Sequence, residues 1–311
     1  MFDVVTGGAG FIGSHLVDTL VGQDNEVLVI DSLCSGRREW IARHIDDYKV
    51  RFMEKDLLDD GWQDAIQGAD RLFHLAADPD VRQSAVSPDP TIRNNIMATY
   101  RVLEAMRLHD VPELVFTSTS TVYGDATVIP TPEDYTPLEP ISVYGASKLA
   151  CEALISSYCH SFGMKAWIFR FANIIGSRSG HGVITDFIRK LEENPAELEI
   201  LGDGKQTKSY LEVHECIAAM LYATGKARGI VNIFNIGSED WIDVKSIAEI
   251  VTKEMHLSGA KFRFTGGERG WVGDVPKMQL SIDKIKGLRW KPQTGSRDSV
   301  RVAVLDLLAE R

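Results

Sequence analysis

Short runs of apolar residues alternate with stretches of helical periodicity along the first half of the chain. The apolar runs predict strands at residues 2–5, 26–30, 50–54, 71–75, 114–117 and 166–169. Apolar positions that recur every three or four residues predict helices at residues 12–20, 62–66, 92–108 and 144–162. Strand and helix in regular alternation predict an α/β fold, a doubly wound parallel sheet (Rossmann-like) with helices on both faces.

This rhythm loosens from about residue 173. Strands are predicted near residues 198–200, 231–235 and 262–264, and helices near residues 184–191, 213–225, 244–256 and 296–308. We therefore predict a dinucleotide-binding domain at residues 1–172 and a smaller mixed α/β substrate-binding lobe at residues 173–311. We expect part of the later chain, about residues 213–240, to return to the main sheet.

Composition and charge agree with a globular protein that acts on a small ligand. The chain has 311 residues, 44% of them hydrophobic, which is enough for a sizeable core. A formal net charge of −10, without a block of Lys and Arg, argues against nucleic acid as a partner. No apolar run approaches the roughly 18 residues of a membrane span, and the first strand begins near residue 2, so we expect no membrane association and no signal peptide. The cysteines lack C-x-x-C spacing, which favours reduced thiols in the cytoplasm and no metal site.

A glycine-rich segment, TGGAGFIG, joins the first predicted strand to the first predicted helix. This context gives each glycine a physical task. Gly7 permits a tight turn, Gly10 lets the backbone approach a pyrophosphate, and Gly13 allows close packing of the helix on the strand. The N–H groups at the start of the helix would bind the pyrophosphate, aided by the helix dipole. The segment therefore predicts a dinucleotide site.

The second predicted strand leads into Asp31, 24 residues after Gly7. A carboxylate at this place can accept hydrogen bonds from both ribose hydroxyls of adenosine and would repel a 2′-phosphate. We therefore predict NAD rather than NADP as the cofactor. Arg37 and Arg38 follow closely enough to weaken that preference.

Tyr144 and Lys148 stand four residues apart at the start of the predicted helix 144–162, so that both side chains lie on one helix face. A free phenol has a pKa of about 10 and acts as a base near neutral pH only if positive charge stabilises the phenolate. Lys148 supplies one such charge, and an oxidised nicotinamide would supply another. A cluster of hydroxyls, residues 117–121, follows a predicted strand, where ligands of doubly wound sheets bind. The alternative is a Tyr and a Lys that share a helix face by chance.

Taken in order, these segments resemble the extended short-chain dehydrogenase/reductase superfamily, and specifically its NAD-dependent nucleotide-sugar epimerases of the UDP-glucose 4-epimerase type. The resemblance covers nearly the whole chain. It rests on TGGAGFIGSH, VID, FHLAA at 73–77, NN at 94–95, TSTSTVYG, YGASK, FRFANIIG at 169–176, GDGKQTKSYLEV at 202–213 and RGWVGDVP at 269–276.

The resemblance implies roles for individual residues. The implied catalytic residues are Tyr144, Lys148 and Thr119, the Ser/Thr position that lies four residues before the Tyr of V-Y-G. The implied cofactor-binding residues are Gly7, Gly10, Phe11, Ile12, Gly13, Asp31, Ser35, Gly36, Asp56, Leu57, Leu75, Ala76, Ala77, Asn94, Ser118, Tyr144 and Lys148.

For the substrate, the resemblance implies that Asn173 holds the diphosphate of a sugar nucleotide and that Arg269 contacts it from the second lobe. Lys208 stands where relatives often have an Arg. Two positions depart from the family pattern. Arg269 lies five residues before Asp274 rather than three, and Met278 occupies a place where some relatives carry a Tyr beside the sugar.

The activity implied is the interconversion of UDP-glucose and UDP-galactose at C4 through a transient 4-keto sugar, with Tyr144 as the base and NAD regenerated in each turnover. Epimerases of other nucleotide sugars, such as UDP-N-acetylhexosamine or UDP-glucuronate, share most of these motifs and stay open, as do epimerases that act at the 2- or 5-position of the sugar. A 4,6-dehydratase or a decarboxylase should carry an acid beside the catalytic Thr, where this chain has Ser120 and Thr121. An NAD-sensing scaffold without catalysis is disfavoured because the Tyr, Lys and Thr are all present.

The remaining features concern packing and assembly. An apolar stripe on the predicted helix 92–108 fits either core packing or a homodimer face shared with helix 144–162, and its residues are Ile92, Ile96, Tyr100 and Leu103. In the resembled family, paired helices of this kind form a four-helix dimer interface, so we expect a homodimer. His74 at a strand end is expected to be a packed histidine rather than a base.

Overall fold

A computed structural model describes residues 1–270 and 275–311. The chain divides into two compact units. The first unit comprises Met1–Gly124, Leu138–Arg170 and Met220–Phe234, and the second comprises Asp125–Pro137, Phe171–Ala219 and Asn235–Arg311. The proline-rich segment Asp125–Pro137 therefore clusters with the second unit, although it lies within the residues that we assigned to the first domain.

The strands are β1 Phe2–Thr6, β2 Glu26–Asp31, β3 Val50–Glu54, β4 Arg71–His74, β5 Glu113–Thr119, β6 Lys165–Phe171, β7 Asn173–Ile175, β8 Glu197–Ile200, β9 Thr207–Lys208, β10 Tyr210–Glu212, β11 Val231–Ile236, β12 Ile242–Asp243, β13 Lys261–Phe264 and β14 Lys277–Met278. The α-helices are α1 Phe11–Gly22, α2 Ala42–Asp46, α3 Val81–Val86, α4 Pro88–Thr91, α5 Ala98–Leu108, α6 Val143–Phe162, α7 Val183–Glu193, α8 Val213–Lys226, α9 Val244–Glu254, α10 Asp283–Gly287 and α11 Ser296–Ala309. Shorter helical segments are the π-helix Ile92–Met97 and the 3-10 turns Arg38–Trp40, Gln63–Ile66 and Ser120–Tyr123.

A parallel sheet of seven strands, in the order β11-β6-β5-β4-β1-β2-β3, confirms the predicted doubly wound fold. Its strands read as continuous apolar runs because helices cover both faces, and Val4 and Val5 of β1 are fully buried. The strand β11 lies beside β6 at one edge of this sheet, within the region that we expected to return to it. The strand order reverses between β1 and β4, and this reversal marks where doubly wound sheets bind their ligands.

Helices α5 and α6 bury apolar side chains against one face of this sheet, in a core that includes Trp62, Leu103, Phe116, Ile155 and Ile168. Together with the preceding π-helix, α5 covers the predicted helix 92–108. The predicted helix 62–66 is instead a 3-10 turn, Gln63–Ile66.

The second unit has a core of its own, to which α7, α9 and α11 contribute Phe187, Ile247 and Val304. Its strands form small sheets: β10 pairs with β7, β13 pairs with β8, and β9 lies between β12 and β14. These strands are two to four residues long, and most of them escaped prediction because such short segments show little periodicity. Within the described ranges, none of the helices is both long enough and apolar enough to cross a membrane.

Candidate active site

The turn between β1 and α1 has the geometry of a phosphate cradle. Gly7 adopts a positive φ of 73°, and a Cβ atom there would lie 2.6 Å from the Ala76 backbone nitrogen. A Cβ atom at Gly13 would overlap the Gly7 carbonyl oxygen, so helix and turn can approach this closely only with glycine at both positions. The helix begins after Gly10, which has no side chain to cap it, and the backbone N–H groups of Phe11 and Ile12 follow. Such a helix start favours an anion.

Asp31 ties this turn to the loop that follows β2. Its Oδ2 accepts a hydrogen bond from the Ala9 N–H at 2.9 Å, and its Oδ1 accepts one from the Leu33 N–H at 2.8 Å. Burial raises the pKa of the Asp31 carboxyl, and the two backbone hydrogen bonds act in the opposite direction. The two backbone hydrogen bonds therefore hold the carboxylate in place. Its remaining lone pairs can accept hydrogen bonds from the ribose hydroxyls.

Two nearby features bear on the choice of cofactor. A Cβ atom at Gly36 would lie 3.0 Å from the Asp31 Oδ1, so this loop needs glycine there, whereas its neighbour Ser35 is exposed. The guanidinium of Arg37 lies 5.5 Å from the ring centroid of Trp40, and that of Arg38 lies 5.2 Å from that of Phe52. Both arginines are therefore held on aromatic rings rather than on the Asp31 carboxylate.

The other expected cofactor residues lie in loops that follow the neighbouring strands. The loop after β3 carries Asp56, which accepts a hydrogen bond from the Leu58 N–H, and Leu57, whose carbonyl accepts one from the Trp62 indole. The segment after β4 contains partly buried residues that border the Gly7 turn, namely Leu75, Ala76 and Ala77.

Asn95, not Asn94, makes the main contacts of the predicted NN pair. Its side chain is 1% exposed; the Oδ1 accepts a hydrogen bond from the Asp78 N–H at 2.8 Å, and the Nδ2 donates to the Asp78 carbonyl and to Ser147 Oγ. Ser147 in turn donates to the Tyr144 carbonyl at 2.7 Å. Asn95 thus links the loop after β4 to the first turn of α6, a role that sequence reasoning missed, whereas Asn94 is partly exposed.

Strand β5 and helix α6 bring the three expected catalytic side chains together. Ser142 caps α6 by accepting a hydrogen bond from the Gly145 N–H, which starts the helix one residue before Tyr144. Thr119 is the last residue of β5, and its side chain lowers the pKa of the Tyr144 phenol, against the effect of burial. The Lys148 Nζ donates to the Thr117 carbonyl at 3.0 Å. Ser118, expected at the cofactor, donates its hydroxyl to Glu152.

The protonation states follow from burial. Burial raises the pKa of the Tyr144 phenol to about 12, and the hydrogen bond with Thr119 acts in the opposite direction. Burial lowers the pKa of the Lys148 ammonium to about 8, against the opposing influence of Cys151 and Glu152. At neutral pH the phenol is therefore protonated and the ammonium is charged. The phenolate expected from the sequence requires a further positive charge near Tyr144.

His74 is a structural residue in this arrangement. Its Nδ1 lies 2.7 Å from Thr6 Oγ1 and its Nε2 lies 3.0 Å from Thr99 Oγ1. The side chain is fully buried, and burial lowers its pKa to about 3, with a smaller contribution from Lys148. The imidazole therefore stays neutral, as befits a packed histidine that joins β1, β4 and α5.

The expected substrate residues belong to the second unit. Asn173 lies on β7, and its Nδ2 donates a hydrogen bond to the Ser209 carbonyl at 3.1 Å. Ser209 is the residue that directly follows Lys208 in the chain. Met278 is paired in register with Lys208 across β14 and β9. Arg269 forms an ion pair with Asp125, in which its Nη2 lies 2.8 Å from Oδ2.

Asp274, the acidic position of the Arg269 motif, and Trp271 lie outside the described residues. Asn173 lies close to Lys208 because it is hydrogen-bonded to the next residue, Ser209. Arg269 is instead paired with the Asp125 carboxylate.

Comparisons with known proteins agree with this geometry. A family model described as the NAD dependent epimerase/dehydratase family matches residues 4–237. A relative from Methanocaldococcus jannaschii, named as a putative UDP-glucose 4-epimerase, is 32% identical over 308 residues, which cover 97% of this chain and 96% of the relative.

Two crystal structures are similar over nearly the full length. One is a UDP-galactose 4-epimerase, with 43% identity, a TM-score of 0.90 and coverage of 100% of this chain and 99% of the other. The second is a UDP-glucuronic acid 4-epimerase from Bacillus cereus in complex with UDP-glucuronic acid and NAD, with 27% identity, a TM-score of 0.90 and complete coverage of both chains. The glycine cradle and the Asp31 carboxylate fit the same dinucleotide. The chain thus belongs to the NAD-dependent epimerase/dehydratase family of extended short-chain dehydrogenases/reductases, and its cofactor is NAD.

Proposed function

We propose that the protein interconverts UDP-glucose and UDP-galactose by inverting the configuration at C4, through a transient 4-keto sugar. The observation that carries this proposal is the grouping of Tyr144 and Lys148, one helical turn apart on α6, with Thr119 at the end of β5, where the Lys148 Nζ donates to the Thr117 carbonyl at 3.0 Å. When bound, NAD supplies a reversible hydride acceptor for an alcohol carbon. The chain supplies the site for the proton that leaves the same alcohol.

The proton path follows from the pKa shifts. Thr119 Oγ1 already accepts hydrogen bonds from the Thr121 N–H and from the Thr121 hydroxyl, so its own proton is left to donate to the phenolate oxygen. The sugar 4-hydroxyl can then pass its proton to that oxygen directly, beside Thr119. Burial alone keeps the Tyr144 phenol neutral. The Lys148 ammonium and the positive charge of the oxidised cofactor act together to favour the phenolate. Proton removal is thereby coupled to the presence of the oxidised cofactor.

An elimination reaction lacks the group that it needs beside Thr119. Loss of the 6-hydroxyl requires a general acid and a base near neutral pH, and the next two residues are Ser120 and Thr121. The Thr121 hydroxyl donates to Thr119 Oγ1 at 3.1 Å, so it belongs to the same hydroxyl cluster. This arrangement favours epimerisation over 4,6-dehydration or decarboxylation.

For the sugar nucleotide, we propose that Asn173, Lys208 and Arg269 of the second unit bind the diphosphate. Asn173 supplies an amide, and the two cations supply charge. The name of the 43% identical structure supports UDP-galactose as a substrate. A second candidate is a UDP sugar with a larger substituent, because Met278, opposite Lys208, is a flexible apolar residue that can adapt to it.

Incubation with UDP-galactose is expected to yield UDP-glucose with no net NADH and no loss of water. The reason is that each turnover oxidises and then reduces the same carbon. The measurement is NMR of the product mixture, with UDP-N-acetylgalactosamine, UDP-glucuronate, and GDP and dTDP sugars run in parallel. A 4-keto-6-deoxy product would contradict the epimerase assignment. Activity confined to another nucleotide sugar would refute the substrate while leaving the mechanism in place.

The protein is further proposed to act as a cytoplasmic homodimer that pairs through the π-helix, α5 and α6. Four large apolar side chains on the first two of these segments are exposed: Ile92 by 38%, Met97 by 46%, Tyr100 by 42% and Leu108 by 64%. Exposed apolar residues grouped in this way are typical of an interface. The four cysteines are free thiols, in keeping with a reducing compartment.

The double substitution Met97→Glu/Tyr100→Glu is expected to convert the dimer to a monomer, because it places charge in the proposed apolar interface. Light scattering after size-exclusion chromatography measures the mass. The matched control is Tyr48→Glu, since Tyr48 is 96% exposed and lies elsewhere, before β3. A monomeric wild-type protein, or a dimer that survives the double substitution, would contradict the proposed interface.

A further inference from the structure

A buried ion pair joins α6 to β6 beside the catalytic residues. Glu152 and Arg170 are 5% and 3% exposed, and the Arg170 guanidinium contacts the carboxylate through Nε at 3.1 Å and Nη2 at 2.7 Å. Both charges have lost their hydration, and a well-packed apolar pair of similar volume would often be as stable or more stable. Fold stability alone therefore does not account for the pair.

The pair holds both ends of the turn that begins at Thr119. Ser118 donates its hydroxyl to Glu152 Oε1 at 2.5 Å. At the other end, Arg170 Nη1 donates to the Tyr123 hydroxyl at 2.9 Å, and the guanidinium lies 4.9 Å from the centroid of the same ring. Thr119 stands between these anchors and caps the turn by accepting a hydrogen bond from the Thr121 N–H.

The same carboxylate also acts on the catalytic lysine. Glu152 lies one helical turn after Lys148, on the same face of α6. The other groups that surround the ammonium are Cys151 on its own helix, the neutral His74 of β4, and the Thr117 carbonyl and Phe116 ring of β5. Among these, Glu152 is the carboxylate that favours the charged form of Lys148.

We propose that Glu152 and Arg170 form a positioning pair that holds the Thr119 turn against α6, so that Thr119 meets Tyr144 in reacting geometry while Lys148 stays charged. This rests on the function proposed above. The pair touches neither substrate nor cofactor and acts through Ser118, Tyr123 and Lys148. Removal of the pair should therefore lower kcat more than it weakens substrate binding.

The chain offers a matched control. Asp3 and Arg71 form a second buried ion pair in the same unit, with Nη2 3.1 Å from Oδ1, and Arg71 also lies over a ring, that of Phe73, at 4.7 Å. These residues stand at the amino ends of β1 and β4, opposite to the strand ends that carry the catalytic residues. A loss of buried charge pairing in general would affect both pairs alike.

The test compares Glu152→Gln, Asp3→Asn and the apolar double variant Glu152→Leu/Arg170→Met. Glu152→Gln is expected to lower kcat by about 10-fold to 100-fold with little change in KM, since small misplacements of reacting groups have effects of this order. It should also move the fall of kcat at alkaline pH to a lower pH, because Lys148 loses the nearby carboxylate. Asp3→Asn should lower the melting temperature and leave kcat and its pH profile unchanged.

The double variant separates positioning from stability. Its melting temperature is expected to match or exceed that of wild type, while kcat stays low. A kcat that recovers together with stability, or a Glu152→Gln enzyme with wild-type kcat and pH profile, would overturn the proposal and leave the epimerase function intact.

If the wild type converts no UDP sugar, the proposed function fails, and the role of the pair is then tested by NAD binding. We expect NAD affinity to fall above about pH 8 in wild type and at lower pH in Glu152→Gln. Identical pH dependence in the two proteins would refute the role of the pair.

Discussion

Replacement of Tyr144 by Phe is expected to lower kcat by about 100-fold to 10,000-fold, the range for loss of a general acid–base group, while NAD and the sugar nucleotide still bind. The substitution removes only the phenol oxygen, the atom proposed to receive the proton. Steady-state rates with UDP-galactose measure kcat, and calorimetric titration measures the binding of NAD. A variant that keeps more than a few per cent of the rate would place the base elsewhere.

The control for this experiment lies within the chain. Tyr222 and Lys226 form a second Y-x-x-x-K pair on α8, where the Lys226 Nζ lies 5.9 Å from the tyrosine ring centroid. Tyr222→Phe is expected to leave kcat unchanged, because this pair has no place in the proposed catalytic machinery. Two Tyr–Lys pairs with the same spacing are thus expected to differ: kcat falls when Tyr144 is replaced and stays unchanged when Tyr222 is replaced.

The free energy of unfolding is expected to fall as the pH is lowered from about 6.5 towards 3, with His74 responsible for about 1.4 kcal/mol for each pH unit. Burial lowers the pKa of this imidazole from 6.5 to about 3 in the folded protein. Between these values the unfolded chain binds a proton that the folded chain does not, so acid favours unfolding. The contribution of His74 is complete above pH 6.5 and is lost as the pH falls.

Urea unfolding at pH 7, 6, 5 and 4 measures this dependence. His74→Gln, which keeps a neutral amide near Thr6 and Thr99 but cannot titrate in this range, is expected to show a shallower fall than wild type. Carboxyl groups with lowered pKa, such as that of Glu212, add their own losses at lower pH in both proteins. Parallel curves for the two proteins, or an imidazole that titrates near pH 6 by NMR, would contradict the assignment.

Local patterns were sufficient for the features that depend on neighbours in the chain. The predicted strand 50–54 coincides with β3, and the predicted helix 144–162 begins one residue late. The glycine turn could be recognised because Gly7 and Gly13 meet within a few residues of each other. Asp31 could be predicted to face the adenosine ribose because it ends the strand that lies next to that turn.

Other positions could not be separated by pattern alone. The hydroxyls of residues 117–121 are alike in sequence, yet Thr119 meets Tyr144 while Ser118 meets Glu152, because the two alternate along a strand and α6 presents different side chains to them. Asn94 was assigned from the family resemblance alone, and the contacts of Asn95 with Asp78 and Ser147 join elements that are far apart in the sequence.

By itself the sequence determined the doubly wound class, the dinucleotide cradle and the Tyr–Lys pair, since each depends on residues within a few positions or on a simple alternation of elements. Only the tertiary structure decided that Glu152 and Arg170, eighteen positions apart, share a buried ion pair, and that Asp125 holds Arg269 across 144 positions. The physical reason is that a local pattern records which side chains a helix or strand presents together, whereas a contact between elements depends on how the sheet and its helices pack.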